Sequence, residues 1–433
     1  MPILEGDAAE LAAAAVTAIA DAMGGELWAH GELGPSLAAG DAGVALFFEY
    51  LDRARPGAGF REKALEHLDL AIDAMASSNL DPGLYSGFTG VAWVAEHLYG
   101  RSEGLETPLH GNGVDEDPNA VVDAAVLGRL GRTPWTYHFD LIGGLTGYAV
   151  YALERLPHLS AAECLELVVE RLSEIAQPHP MGLAWYTSPD LLPEPNRPSF
   201  PQGLNNLGLA HGTPGVIAVL ARICTAGVAT EKATQLMAAA VSWLLSQKLS
   251  THETSVFPYE VGPVPRLRPA RTAWCYGDPG IAVALLAAGR AMGDEETEKH
   301  ALALAHAVAQ RPAESSGVRD AGLCHGAAGL GHLLNRLYHA TGDPALLDSA
   351  RGWFTRTLQY WEPGRGIGGF LAFAPPDDDF DRLIWRESPG FLIGSVGMGL
   401  ALLAATSDVE PTWDRVLLAS PIPGEAASLP SAG

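Results

Sequence analysis

Apolar positions along the chain fall into two kinds of run. In the first kind they recur three or four residues apart with charges between them. Residues 61–76 (REKALEHLDLAIDAMA) put Leu65, Leu68, Ile72 and Met75 on one helical face. Residues 7–23, 117–130, 161–176, 231–247, 295–310 and 344–360 follow the same rule. In the second kind the run is apolar all round, as in VALFFEYL, VAWVAEHL and IAVALLAAG. A helix apolar on every side is buried on every side. Each run of the second kind opens on a G-x-x-G, at Gly40–Gly43, Gly87–Gly90, Gly144–Gly147, Gly212–Gly215, Gly277–Gly280, Gly326–Gly329 and Gly394–Gly397.

The distance between successive first glycines runs from 47 residues (Gly40 to Gly87) to 68 (Gly144 to Gly212), room for two helices and their connections. The pattern predicts an all-α ring in which seven inner, buried helices stand inside seven outer, amphipathic ones. Glycine is expected at the inner helix starts for positive φ and for close backbone approach near the ring axis. No strand-like alternation is sustained. Segments 100–137, 178–208, 249–272 and 362–390 are long, Pro-rich and irregular, and all four lead into a G-x-x-G. They are expected to wall one face of the ring.

Composition narrows the partners. A formal net charge of −24 disfavours a nucleic-acid partner. No run reaches the roughly 20 apolar residues of a membrane span. The Ala-rich start carries Glu5, Asp7 and Glu10 and no basic region, so it reads as a helix and not a signal peptide. Four cysteines in 433 residues are too few for a disulfide framework, which points to reduced thiols in the cytoplasm.

Aligning the repeats exposes the candidate chemistry. Two positions before each first glycine stand Ala38, Tyr85, Ile142, Ala210, Cys275, Cys324 and Leu392. One position before stand Ala39, Ser86, Gly143, His211, Tyr276, His325 and Ile393. Two of the four cysteines therefore share an offset in adjacent repeats, and His325 follows the second. Two thiolates and an imidazole suit zinc, and three protein ligands leave a fourth position open, as in catalytic sites. His211 precedes them by one repeat, and Asp140 lies just before the third G-x-x-G. Cys164 and Cys224 lie in apolar helical runs and read as core. His67, His97, His300, His306, His332 and His339 lie in helices and read as surface or satisfied residues.

The stretches NLGLAHGTPG (206–215), WCYGDPG (274–280) and LCHGAAG (323–329), set within seven G-x-x-G repeats, resemble the LanC-like family of lanthionine synthetase C proteins. The resemblance implies an α/α toroid over residues 1–433 as one cyclase domain, with Zn2+ held by Cys275, Cys324 and His325. It implies His211 as the proton-transfer residue, with Asp140, Arg271 and Tyr276 as further catalytic positions. The implied reaction adds a substrate cysteine thiolate to dehydroalanine or dehydrobutyrine in a dehydrated lanthipeptide precursor, forming lanthionine or methyllanthionine. A stand-alone dehydratase, and a transporter in a transient complex, are the implied partners. No appended kinase or dehydratase segment is evident, so the chain is expected to be the stand-alone cyclase.

Two rivals remain at this point. One is a non-catalytic zinc protein that binds thiol peptides such as glutathione, or acts as an adaptor, without cyclising anything. The other is an α/α-toroid glycosidase using two facing carboxylates, for which Asp41, Asp140 and Asp278 are the acidic residues near inner helix starts.

Overall fold

The computed structural model describes residues 1–25, 33–100, 117–250, 254–263, 267–375 and 382–422. Among them the helices alternate as the repeats predict. The outer set is α1 (Gly6–Met23), α3 (Phe60–Ser77), α5 (Ala120–Leu130), α7 (Leu159–Ile175), α9 (Thr230–Leu245), α11 (Glu295–Ala309) and α13 (Pro344–Gln359). The inner set is α2 (Asp41–Ala54), α4 (Phe88–Ala95, prolonged by a π-turn, Glu96–Gly100), α6 (Leu145–Arg155), α8 (Thr213–Thr225), α10 (Asp278–Met292), α12 (Ala327–Thr341) and α14 (Ser395–Thr406). Each inner helix packs on the next, and α14 returns to α2, so the ring closes. Along α8 and α10 nearly every residue is buried, whereas α11 buries only Thr297, Ala301, Leu304, Ala305 and Val308. That contrast is the difference between a helix packed on all sides and one with a single apolar stripe.

The stripe on α3 is rotated from its expected position. Ala64, His67, Leu68 and Ala71 are its buried residues, while Ile72 is 36% exposed. Small alanines let α2 approach closely, and a hydrogen bond between His67 Nδ1 and Asp41 Oδ1 (2.8 Å) fixes the rotation. Periodicity placed the helix correctly and its inward face about one residue off.

The glycines are present for closeness more than for positive φ, which among the seven first glycines occurs only at Gly277 (φ 122°). A Cβ on the second glycine would strike the chain's own carbonyl three residues before the motif. At Gly280 it would lie 2.4 Å from the Trp274 oxygen and 3.0 Å from Leu209 Cβ of the preceding repeat. That preceding position is large and apolar in every repeat (Leu37, Leu84, Leu141, Leu209, Trp274, Leu323 and Phe391) and is buried throughout.

A belt of backbone hydrogen bonds ties the repeats together at this level. Ala38 N–H donates to Tyr85 O, Tyr85 to Ile142, Leu141 to Ala210, Ala210 to Cys275, Cys275 to Cys324, Cys324 to Leu392, and Leu392 back to Ala38, at 2.7 to 3.4 Å. The belt puts all inner helix N-termini on one face.

Where irregular walls were expected, the loops on that face contain short ribbons. β1 (Gln177–His179) pairs antiparallel with β2 (Gly182–Ala184). β3 (Tyr186–Thr187), β4 (Leu204–Asn206) and β5 (Glu260–Val261) form a three-stranded sheet, with Asn206 opposite Glu260. β6 (Ala372–Ala374) pairs with β7 (Ile384–Arg386). Within the segment 100–137, the amphipathic helix expected at 117–130 is α5. Residues 101–116, 251–253, 264–266 and 376–381 of the four expected wall segments lie outside the described residues.

The opposite end of the ring is plugged. A 3-10 turn at Thr412–Leu417 enters it, with Trp413 and Asp414 fully buried. Tyr85 Oη donates to Val416 O (2.9 Å) and Trp274 Nε1 to Leu417 O (2.8 Å), so the plug reaches the underside of the belt. From the last turn of α8, Arg222 Nη2 donates to the carbonyls of Leu418 and Ser420. No described helix is long and apolar enough to cross a membrane.

Candidate metal centre and its acid–base neighbours

The belt bond between Cys275 and Cys324 brings their side chains together, and His325 follows on the same turn. The ligand atoms of Cys275, Cys324 and His325 all lie within 4.8 Å of one another. His325 Nδ1 is buried and has no hydrogen-bond partner, as a nitrogen meant for a metal would be. The Cys324 thiol hydrogen-bonds to Cys275 and, against burial and with help from His325 and Arg271, holds the Cys275 thiol well below its ordinary range. That same hydrogen bond holds Cys324 well above it. Arg271 reaches the pair directly, with Nη2 3.5 Å from Cys275 Sγ. Two thiols and one imidazole, buried beside a guanidinium, form a set of three soft-to-borderline donors.

Beside the triad, His211 and Asp140 are paired across a repeat boundary. His211 Nδ1 lies 2.7 Å from Asp140 Oδ2, and Asp140 Oδ1 accepts the N–H of Gly143 at 3.0 Å. Burial opposes charge on the imidazole, but the hydrogen bond and charge of Asp140, with Cys275 adding, hold the His211 pKa above its usual value. Burial likewise opposes charge on Asp140, and the His211 contact outweighs it and lowers the carboxyl pKa. The His211 side chain remains 39% exposed although its Nδ1 is engaged by Asp140.

The Tyr276 ring stacks on His211 at 5.9 Å between centroids and lies 5.5 Å from Tyr259, which stands just before β5. Burial pushes the Tyr276 phenol up, so it stays neutral and able to donate. Asp278, at the start of α10, accepts the N–H groups of Val256 and Phe257 and an ion pair from Arg311, anchoring the loop that carries Tyr259.

All seven residues named from sequence thus gather at the N-terminal face of α6, α8, α10 and α12. Cys164 and Cys224 are buried in α7 and α8, away from the triad. The six helix histidines stay outside the site; His97 bonds to Tyr50 and Glu154, and His332 to Asp414. The glycosidase rival fails on burial. Asp41 and Asp278 have no exposed surface and are committed to His67 and to Arg311, which leaves no facing pair for Asp140.

Tyr259, and Asn206, whose Nδ2 lies 3.0 Å from Tyr276 Oη, join the site without being among the residues the sequence singles out. For Asn206 a signal existed: the same (Asp/Asn)-x-Gly, six residues before the first glycine, recurs at Asp81–Gly83, Asn206–Gly208 and Asp320–Gly322. Arg271 stands at that offset in its own repeat.

The family model for lanthionine synthetase C-like proteins matches residues 31–418. The chain belongs to that family. Among LanC-like relatives, the nisin biosynthesis protein NisC of Lactococcus lactis subsp. lactis is 25% identical over 322 residues, 69% of this chain and 72% of that protein. The glutathione S-transferase LANCL1 of Danio rerio is 23% identical over 323 residues, 70% of each chain. The solved structure of a nisin cyclase superposes with a TM-score of 0.70 at 20% identity, covering 93% of this chain and 95% of the other. This LanC-like chain therefore has the α/α-toroid fold that its repeats predict.

Proposed function

We propose that this LanC-like protein is a lanthipeptide cyclase that joins substrate cysteine thiolates to dehydroalanine or dehydrobutyrine in a dehydrated precursor peptide. One observation carries the reading. A three-donor metal triad, a guanidinium, a phenol and a carboxylate–imidazole pair share one face of the ring, and this is the set a conjugate thiol addition needs.

The triad suits zinc, whose bonds to sulfur and nitrogen of about 2.0–2.3 Å are compatible with ligand atoms this close. Zinc held by Cys275, Cys324 and His325 would supply a Lewis acid that lowers the pKa of a substrate thiol. The remaining roles belong to the chain. As the sulfur bonds to the β-carbon, the C=C electron pair shifts toward the adjacent carbonyl, and negative charge builds on that oxygen. Arg271 and Tyr276 are placed to stabilise it. His211, charged through Asp140, gives its proton to the α-carbon. The proton lost by the substrate thiol restores His211 by way of solvent.

Such a cyclase acts after a separate dehydratase, in a transient complex with it and a transporter. It works in the cytoplasm, where its thiols stay reduced.

The test incubates wild-type protein with dehydrated precursor and counts free thiols by alkylation and mass spectrometry. Ring closure removes thiols without changing mass. Zinc-free protein that still closes rings would refute the zinc role.

A second reading has one observation behind it, the glutathione S-transferase among the relatives. In that case the triad would hold the thiol of a glutathione-like peptide. Zinc-loaded protein that is inert on dehydrated precursors but retains glutathione would favour it.

A further inference from the structure

Three repeats build the same turn six residues before their first glycine. Asp81 Oδ1 accepts the N–H of Gly83 (2.6 Å), Asn206 Oδ1 that of Gly208 (2.8 Å), and Asp320 Oδ1 that of Gly322 (3.2 Å). This Asx turn needs only an acceptor, which aspartate supplies as well as asparagine. Two of the three repeats use aspartate, and the turn alone does not call for an amide in the third.

The Asn206 amide has a second partner. Its Nδ2 donates to Tyr276 Oη at 3.0 Å. The Gly208 N–H requires oxygen on one side of the amide, so nitrogen must face the phenol, and the orientation is fixed by the hydrogen bonds themselves. An amide nitrogen has no lone pair to accept with. The phenol oxygen is therefore the acceptor in this contact, and its own proton is left for a different partner. The turn also seats the ring. A Cβ on Gly208 would lie 2.8 Å from Tyr276 Cδ1.

We propose that Asn206 is a positioning residue for cyclisation: by donating to the Tyr276 hydroxyl it turns the phenol into a directed hydrogen-bond donor for the carbonyl oxygen of the dehydro residue. This rests on the cyclase reading above. No proton is transferred from Tyr276; the hydroxyl only stabilises the oxygen on which charge collects.

The test uses Asn206→Asp, because aspartate already closes the same turn in two other repeats. The variant keeps the acceptor for Gly208 but presents a carboxylate oxygen to the phenol, which then donates inward and away from substrate. With dehydrated precursor, kcat is expected to fall about tenfold, with KM and zinc content close to wild type. Tyr276→Phe should lose a similar factor. The double variant should be no slower than Tyr276→Phe alone, because both changes remove one interaction. Wild-type rates in Asn206→Asp or in Tyr276→Phe, or a double variant slowed by the product of the two factors, would overturn the proposal while leaving the cyclase reading intact. A wild-type protein inert on dehydrated precursors would overturn both.

Discussion

The backbone N–H of Cys275 donates to the carbonyl oxygen of Cys324 at 3.4 Å. The two residues are far apart along the chain and are neighbours only because adjacent repeats meet through the belt. The donor triad is thus a property of the packing of adjacent repeats, and His325 joins it by following Cys324 on the same turn.

Removing any one donor should empty the site. In Cys275→Ala, Cys324→Ala and His325→Ala, zinc measured by elemental analysis is expected to drop from about one per chain to near none, because two protein ligands hold zinc poorly. A Cys164→Ala control, whose sulfur is buried in α7, should keep its zinc. Full zinc in Cys275→Ala would show that the metal sits elsewhere.

His211 should be separable from metal binding. His211→Ala is expected to keep its zinc and lose about 10²- to 10⁴-fold in cyclisation rate, the usual worth of a positioned general acid. Thiol counting on dehydrated precursor measures the loss. An unchanged rate would take His211 out of the chemistry.

The Asp140–His211 pair sets a pH window. With its pKa raised, His211 is protonated at low pH, and the acid function proposed for it is lost as pH rises through the folded value. Its contribution to stability is complete below the unfolded value of about 6.5 and is lost on that same rise. The Asp140 pKa is lowered, so its contribution is present above about 3.9 and is lost as pH falls through the folded value. Asp140→Asn removes the counter-charge. The alkaline limb of its pH–rate profile should move to lower pH, and an unmoved limb would assign that limb to another group.

Close packing between repeats can be tested away from the chemistry. Gly280→Ala puts a methyl 2.4 Å from the Trp274 carbonyl oxygen and 3.0 Å from Leu209 Cβ. Overpacking of this kind should cost about 1–3 kcal/mol, read from denaturant unfolding. Gly128→Ala, on α5 with no atom within 4 Å of the added Cβ, should cost nothing.

Much of this protein is legible from local pattern. The two kinds of apolar run and the seven G-x-x-G motifs determine the fourteen α-helices found among the described residues and their inner or outer place, because burial on one face or on all faces is written directly into residue order. Equal offsets before the glycines also point to Cys275, Cys324 and His211, since repeats of one design put equal offsets at equal height. Other features depended on tertiary structure. Which face of α3 turns inward followed from the His67–Asp41 bond and small alanines, not from where its largest apolar residues lie. The plug at Thr412–Leu417 has no periodic signature; its place comes from carbonyls that meet Tyr85, Trp274 and Arg222 inside the closed ring. Asn206 resembles any turn asparagine until Tyr276, 70 residues further along the chain, arrives at its free amide nitrogen. Such contacts join residues on different helices and loops, so their geometry exists only once those elements have packed together.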